Sequence, residues 1–389
     1  MRDDWQQVTL GELCDLIKGT TATQKAVPGE YPLVVTAEHR ASSADYQLDV
    51  PAVCVPMVSS TGHGHASLKR VHYQDGKFAV ANIITACIAK AGQPVDMKFL
   101  WLKLDHERDE LIVPRMKGTA NVSLSQKSLA SVPINLPPLR EQRRIVDLMG
   151  AIDDTITKAE RLVMDLEQLT SKMRDALPGG ELRPISEVVT AIQSGVSTKP
   201  VAGEGPQLNM LTLAAIRPGR FYPSEVKSVG AAALPEKTRL HDGDLLITRS
   251  NTPERVGYVA LARDVSENTF LPDLVWRLVV DESVVSREYL AQVLSSPTMR
   301  AAITASATGT SQSMQKINKT NFGALRIPVP DLETQGTYVE PIVAIGDALR
   351  LADSELADLR RLRTNLLTAL LSGEHEIPES YDELMEVSA

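Results

Sequence analysis

Positive charge is in deficit, cysteine is scarce, long apolar runs are missing, and so are the usual catalytic signatures; each shortage closes off a class of protein. Lys and Arg number 41 against 49 Asp and Glu, for a formal net charge of −8. Phosphate neutralisation is the main source of non-specific DNA affinity, so a surface coated in nucleic acid along its whole length is excluded. Any DNA contact must rest on locally placed cations or on positive surface lent by partners. The cysteines are Cys14, Cys54 and Cys87, an odd number without CxxC spacing, which argues against a disulfide framework and a cysteine zinc cluster. They read as reduced, small core residues. No apolar run approaches the roughly 20 residues that span a bilayer, and the opening MRDDWQQ lacks the apolar stretch of a signal peptide. A cytoplasmic location and no membrane partner are expected. GxxxxGK[ST], an Asn-Pro-Pro-aromatic string and HExxH are absent, so no catalytic residue is assigned. Pro94-Val95-Asp96-Met97-Lys98 has a nuclease-like carboxylate–lysine spacing but no second acid to complete it. His63 and His65, near His72 and Cys54, make one HxH without a second pair, and no metal site is expected.

What is present is globular in composition, with 43% hydrophobic and 23% charged residues. At 389 residues the chain exceeds one ordinary core, so two or more domains are expected. An internal repeat organises it. LPPLREQRRIV (Leu136 to Val146) aligns with VPDLETQGTYV (Val329 to Val339) at an offset of 193, keeping a proline, the leucine, the glutamine and the final valine. Just upstream, LSQKSLASVPI from Leu124 matches INKTNFGALRI from Ile317 without a gap, and KGTA at Lys117 matches TGTS at Thr308 after a two-residue gap. LGELCDLIKG from Leu10 lies over ISEVVTAIQS from Ile185, and YQDGKFAV from Tyr73 resembles RLHDGDLLI near Asp242. Between these anchors the match fades. A shared frame around a divergent interior suits two binding modules with different ligands.

Each proline-rich junction opens a stretch patterned for a coiled coil. Alternating steps of four and three put Ile145, Met149, Ile152, Ile156, Ala159, Val163, Leu166, Thr170, Met173 and Leu177 on one seam. Ile342, Ile345, Leu349, Ala352, Leu356, Leu359, Arg363, Leu366 and Leu370 form the second. Apolar a/d positions sustained over four heptads mark a coiled-coil seam. Pro137 and Pro138 precede the first helix and Pro178-Gly179-Gly180 stops it; Asp331 can cap the second, and Pro341 should kink or restart it. Each helix extends roughly 60 Å at 1.5 Å per residue, a spacer's length. Packing the two as an antiparallel pair satisfies both seams and leaves the modules at opposite ends.

The modules read as α+β. Short apolar runs such as YPLVVTA, FAVANIITACIA, DLLITRS and GYVALA lie between turn residues, with helices expected near Met97 to Leu104 and Arg287 to Ser295. Candidate DNA contacts sit in polar loops. SSTGHGHASLKR offers Ser60, Thr61, His63, His65, Lys69 and Arg70. TRSNTPER supplies Arg249, Asn251 and Arg255, while TGTSQSMQKINK supplies Gln312, Gln315, Lys316, Asn318 and Lys319. Such side chains are donors to phosphates and base edges: arginine pairs with guanine, asparagine and glutamine with adenine.

The opening WxxVTLGELCDLIKG, then SSTGHGHA, DGKFAVAN and NVSLSQKSLASVPINLPPLREQRRIV running into a heptad helix, with the weaker second copy holding DGDLLITRSN, resembles the specificity subunit of type I restriction-modification enzymes from Trp5 to about Gly373. The resemblance implies two target recognition domains (1–136 and 179–329), each reading half of an asymmetric site in double-stranded DNA. It implies two helices (137–178 and 330–373) forming an antiparallel coiled coil in a pseudo-twofold arrangement, and a disordered tail at 374–389. Two adenine-methyltransferase subunits and up to two restriction subunits are the implied partners. S-adenosylmethionine, ATP and Mg belong to them, and this chain is implied to be non-catalytic and to bind no cofactor. A coiled-coil interaction scaffold that binds no DNA remains an alternative reading of the helices.

Overall fold

A computed structural model describes residues 2, 4–61, 64–197, 208–229, 234–311 and 314–383, with the backbone alone at 309–311. The chain is α+β and divides into two compact units, Met1–Lys158 with Leu356–Ala389, and Ala159–Glu355. The boundary falls inside both long helices, Leu139–Asp175 and Leu332–Ser372. Each unit therefore includes part of each helix. Among the described residues no helix is long and apolar enough to cross a membrane.

In the first unit the central sheet runs Cys14–Lys18, Ile84–Ala89, Ala52–Pro56, His72–Gln74. Ala52–Pro56 is buried throughout, which explains its unbroken apolar sequence. A second layer pairs Tyr31–Val34 in parallel with Lys77–Val80. Gln6–Thr9 closes on Pro133–Leu136 just before the first long helix. Leu10, Leu13, Phe99, Leu100 and Leu129 fill the core, joined by Ile145 and Met149 of the first helix and Leu367, Leu370 and Leu371 of the second.

The second unit has a central sheet of like strand order among additional elements of its own. Its central sheet runs Val189–Ser194, Val275–Val280, Leu245–Thr248, Val259–Leu261; Leu208–Leu211 pairs in parallel with Thr269–Phe270, and Glu181–Pro184 closes on Arg326–Val329. Its main core gathers Ile185, Val188, Tyr289, Leu290, Leu294 and Phe322. Topology corrects one alignment. Leu245–Thr248 occupies the place of Ala52–Pro56, not of Lys77–Val80, whose counterpart is Thr269–Phe270. What misled is a shared turn: Gly76 and Gly243 both follow an aspartate and hold φ near +72° and +84°, which glycine adopts without strain.

The helix junctions use one device twice. Gln142 is fully buried; its Oε1 accepts from the Asp96 amide (2.7 Å), and its Nε2 donates to the carbonyls of Pro94 (2.9 Å) and Pro137 (2.8 Å). Gln335 is equally buried, accepts from the Ser286 amide (2.9 Å) and donates to Val284 (3.0 Å) and Pro330 (2.9 Å). Asp96 and Ser286 each cap the helix that follows, Met97–His106 and Arg287–Ser295. The glutamine kept in the repeat thus ties each long helix to a capped helix of its own unit.

Two expectations change. The second long helix continues through Pro341 without interruption. The one lost backbone bond is tolerated because neighbouring Val339 and Ile342 are buried and hold the helix in place. The expected tail is not disordered over 374–383. Ile377 is 5% exposed, Tyr381 packs on the first core, and Arg144 forms a two-pronged ion pair with Asp382 (2.6 and 2.7 Å) while its NH1 donates to the Ile377 carbonyl. Residues 384–389 lie outside the described residues.

Candidate nucleic-acid interface

In each unit the loop that leaves the central strand is pinned to a segment from far along the chain. In the first, the Leu124 amide donates to Met57 O (2.8 Å) and the Ser59 amide to Val122 O (3.0 Å), while Val58 and Lys117 both bridge to Ser123. In the second, Ser250–Asn251 pairs with Met314–Lys316, setting Ser250 opposite Lys316 and Asn251 opposite Gln315, and Thr308 is also paired with Lys316. Two candidate loops some sixty residues apart thus become one small sheet.

The hydroxyls of the first loop hold the loop itself. Ser60 Oγ accepts from the Lys69 amide (3.0 Å), Thr61 Oγ1 meets Ser67 Oγ (2.9 Å), and Ser59 Oγ donates to His65 O (2.6 Å). Gly64 has φ of +79°, and a Cβ there would sit 2.7 Å from Thr119 O, so the loop tip lies against the 117–123 turn. His65 and Lys69 are exposed; Arg70 is paired with Glu38 at 3.0 Å. His63 lies outside the described residues.

Adjacent His72 is 4% exposed, with Nδ1 3.0 Å from Arg40 NH1. Burial, then the charges of Arg40 and Arg70, hold its pKa down at about 4. The unfolded chain therefore binds the proton more readily, so this contribution to stability is complete above the ordinary value of 6.5 and is lost as pH falls towards 4. Between pH 7 and 4 the wild type is expected to lose on the order of 2–3 kcal/mol more than His72→Gln, measured by urea unfolding at each pH.

In the second unit Arg249 is half-buried with its guanidinium carbon 5.8 Å from the Trp276 ring centroid. Lys319 Nζ lies 6.0 Å from the same centroid and donates to Ile192 O (2.7 Å). Arg255 and Lys316 are exposed, and Gln315 is half-buried. Two candidates are engaged locally: Asn251 Oδ1 accepts from the Thr252 amide (2.9 Å), and Asn318 Oδ1 caps Lys319–Ala324 through the Asn321 amide (2.7 Å). Gln312 lies outside the described residues.

Along the long helices Ile145, Met149, Ile156, Leu349, Leu356 and Leu370 are buried, and Ile152, Val163, Leu166, Met173, Ile345, Leu359 and Leu366 are half-buried. Off-seam Leu162, Met164, Leu351 and Leu362 are exposed. The polar interruptions are satisfied: Thr170 donates to Leu166 O (2.7 Å), and the Arg363 guanidinium grips both Asp153 oxygens. Sequence reading missed Arg174 and Arg220 of the second unit. Buried Arg174 donates to Gln292 Oε1 (2.8 Å) and Pro218 O (3.0 Å), and burial lowers its pKa to about 10. Arg220 pairs with Glu167 of the first long helix (2.6 Å) and Asp353 of the second. It also missed Trp276 and the 117–123 turn, though the KGTA/TGTS match pointed to the latter.

Residues 2–167 match the family model for the type I restriction modification DNA specificity domain. Residues 2–167 are thus similar to a DNA specificity domain. The type I restriction enzyme EcoKI specificity subunit of Escherichia coli K12 is 23% identical over 286 residues, covering 65% of this chain and 60% of the relative. The MjaVIII specificity subunit of Methanocaldococcus jannaschii is 20% identical over 406 residues, covering 95% and 93%. The crystal structure of the type I restriction-modification S subunit from M. genitalium is similar with a TM-score of 0.59 and 14% identity, over 95% of this chain and 97% of that one, a likeness of fold. These matches bear out the resemblance drawn from the sequence, to type I restriction-modification specificity subunits, while the chain spans only 60% of the length of the EcoKI relative.

Proposed function

We propose that this chain is the non-catalytic reading subunit of a type I restriction-modification complex, recognising a two-part asymmetric DNA site and docking two adenine-methyltransferase subunits and up to two restriction subunits. The observation that carries this reading is the use of one frame twice with different side chains at the same place. Both units have the same strand order and the same glutamine clamp, yet Met57 and a hydroxyl-rich loop stand where the other unit has Arg249 and a small paired sheet. Like frames suit two identical partners, and unlike loops suit two different half-sites.

The long helices are the spacer, zipped as an antiparallel coiled coil. Supporting this, in the first unit the start of the first helix shares a core with the end of the second, and Arg363 meets Asp153. In the second unit Tyr338, near the start of the second helix, donates to Arg174 O near the end of the first (2.8 Å). The DNA-facing residues are drawn from the 59–70, 117–123, 249–255 and 308–319 loops. S-adenosylmethionine, ATP and Mg reside in the partner subunits, and positive surface lent by the methyltransferases offsets the net charge of −8.

Gel shifts of the chain reconstituted with its methyltransferase subunit, repeated from 50 to 200 mM salt, test the DNA reading. Affinity is expected to fall by about 10³-fold or more, as several released counterions require. Absence of binding, or binding indifferent to salt, would leave a protein-interaction scaffold as the better reading.

A further inference from the structure

Arg249 and Trp276 have exact positional counterparts in the other unit, and the comparison shows what differs. The Arg249 amide donates to Leu274 O (2.8 Å) and its carbonyl accepts from Ile317 (3.0 Å); Met57 likewise donates to Ile83 O (2.8 Å) and accepts from Leu124 (2.8 Å). Trp276 sits between Ser194 and Ile247 in its sheet, as Thr85 sits between Lys18 and Val55. One backbone frame thus holds Arg over Trp in the second unit, and Met and Thr in the first.

The Nε of half-buried Arg249 is desolvated without an acceptor among the described residues. Neighbouring Ser250 Oγ and Gln315 Oε1 are likewise buried and make no hydrogen bond among the described residues. Two other half-buried arginines of this unit have acceptors for their terminal nitrogens: Arg277 in Asp244 at 2.8 Å, and Arg300 in the carbonyls of Val256 and Glu254. A half-buried cation left unpaired is unfavourable until a ligand supplies the acceptor. Trp276, 2% exposed and packed on Phe322, gives that guanidinium a fixed ring to lie against. Phosphates are alike in every site, so a phosphate-positioning residue has no reason to differ between two modules on one frame; a base-reading residue does.

Resting on the proposed DNA reading, we propose that Arg249 reads a guanine in the half-site of the second unit, its fork directed at O6 and N7, and that Trp276 is the positioning residue that orients it. Ser250 and Gln315 flank the same contact, and Lys319 adds charge on the same ring.

The test uses the full chain with its methyltransferase partners on a randomised DNA library, reading adenine methylation by sequencing. The wild type is expected to require a guanine at one position of one half-site. Arg249→Met should relax that position alone by about 10- to 100-fold, leaving the other half-site and the gap unchanged. Arg249→Lys, which keeps the charge and the fold but loses the fork, should also lose the guanine preference. Trp276→Leu should weaken the preference and Trp276→Phe restore it, a rescue that simple loss of packing would not give at a single base. A two-part motif without guanine in either half-site overturns the inference and leaves the reading subunit intact, as does Arg249→Lys retaining full discrimination. Uniform slowing on all sequences by Arg249→Met, with a salt slope shallower by about 1, would make Arg249 a phosphate contact instead. If the wild type shows no two-part motif, it is the proposed function that fails.

Discussion

Replacing Gln142 with alanine is expected to destabilise the first unit by about 3–5 kcal/mol, one of the largest effects available to a single polar side chain here. The amide is fully buried and satisfies three groups at once: the Asp96 N–H and the carbonyls of Pro94 and Pro137. Cutting it back leaves all three buried without partners, and each unsatisfied group costs about 1–3 kcal/mol less whatever water recovers. Gln142→Glu should be no better, because a carboxylate accepts from Asp96 but cannot donate to two carbonyls. Gln335→Ala should cost the second unit a similar amount through Ser286, Val284 and Pro330. Thermal unfolding is the measurement, with a fall on the order of 10 °C expected in the affected unit. Exposed Gln126→Ala serves as the control, and a loss below 1 kcal/mol for Gln142→Ala would show that the clamp is not what fixes the junction.

Lengthening both long helices by one heptad is expected to change the gap of the DNA site and nothing else. Seven residues add about 10 Å at 1.5 Å each, or about three base pairs of duplex. Adding the heptad to both helices, after Thr157 in the first and before Leu356 in the second, keeps the 3.5-residue seam in phase. Methylation by the reconstituted complex should then move to the same two half-sites at the new separation. Half-sites that change identity, or a gap that stays constant, would contradict the division between readers and ruler.

What could be read from sequence was what is local. Pro137-Pro138 and Pro178 bracket a helix whose ends fall at Leu139 and Asp175, and the runs near Met97 and Arg287 are helices because each follows a capping Asp96 or Ser286. Local cues also misled: the Asp-Gly turns at Gly76 and Gly243 look alike but lead into strands with different neighbours. Pairings across long separations were not legible. Nothing in TRSNTPER announces that Ser250 and Asn251 will lie beside Lys316 and Gln315. Asn251 and Asn318 read as base-edge donors, whereas their oxygens satisfy a turn and a helix start. Trp276 is a core residue, 2% exposed, and its second role becomes visible only when Arg249 arrives from another strand. The polar segment after Gly373 looks like a loose end until Arg144 of the first long helix grips Asp382 and Ile377 is covered.

Single-molecule mapping of modified adenines, in DNA treated with the complex of this chain and its methyltransferase subunits, tests the central claim most directly. Two short, unlike specified blocks separated by a fixed unspecified gap are expected, with no methylation by this chain alone. A single continuous motif, or adenine methylation by the isolated chain, would contradict it.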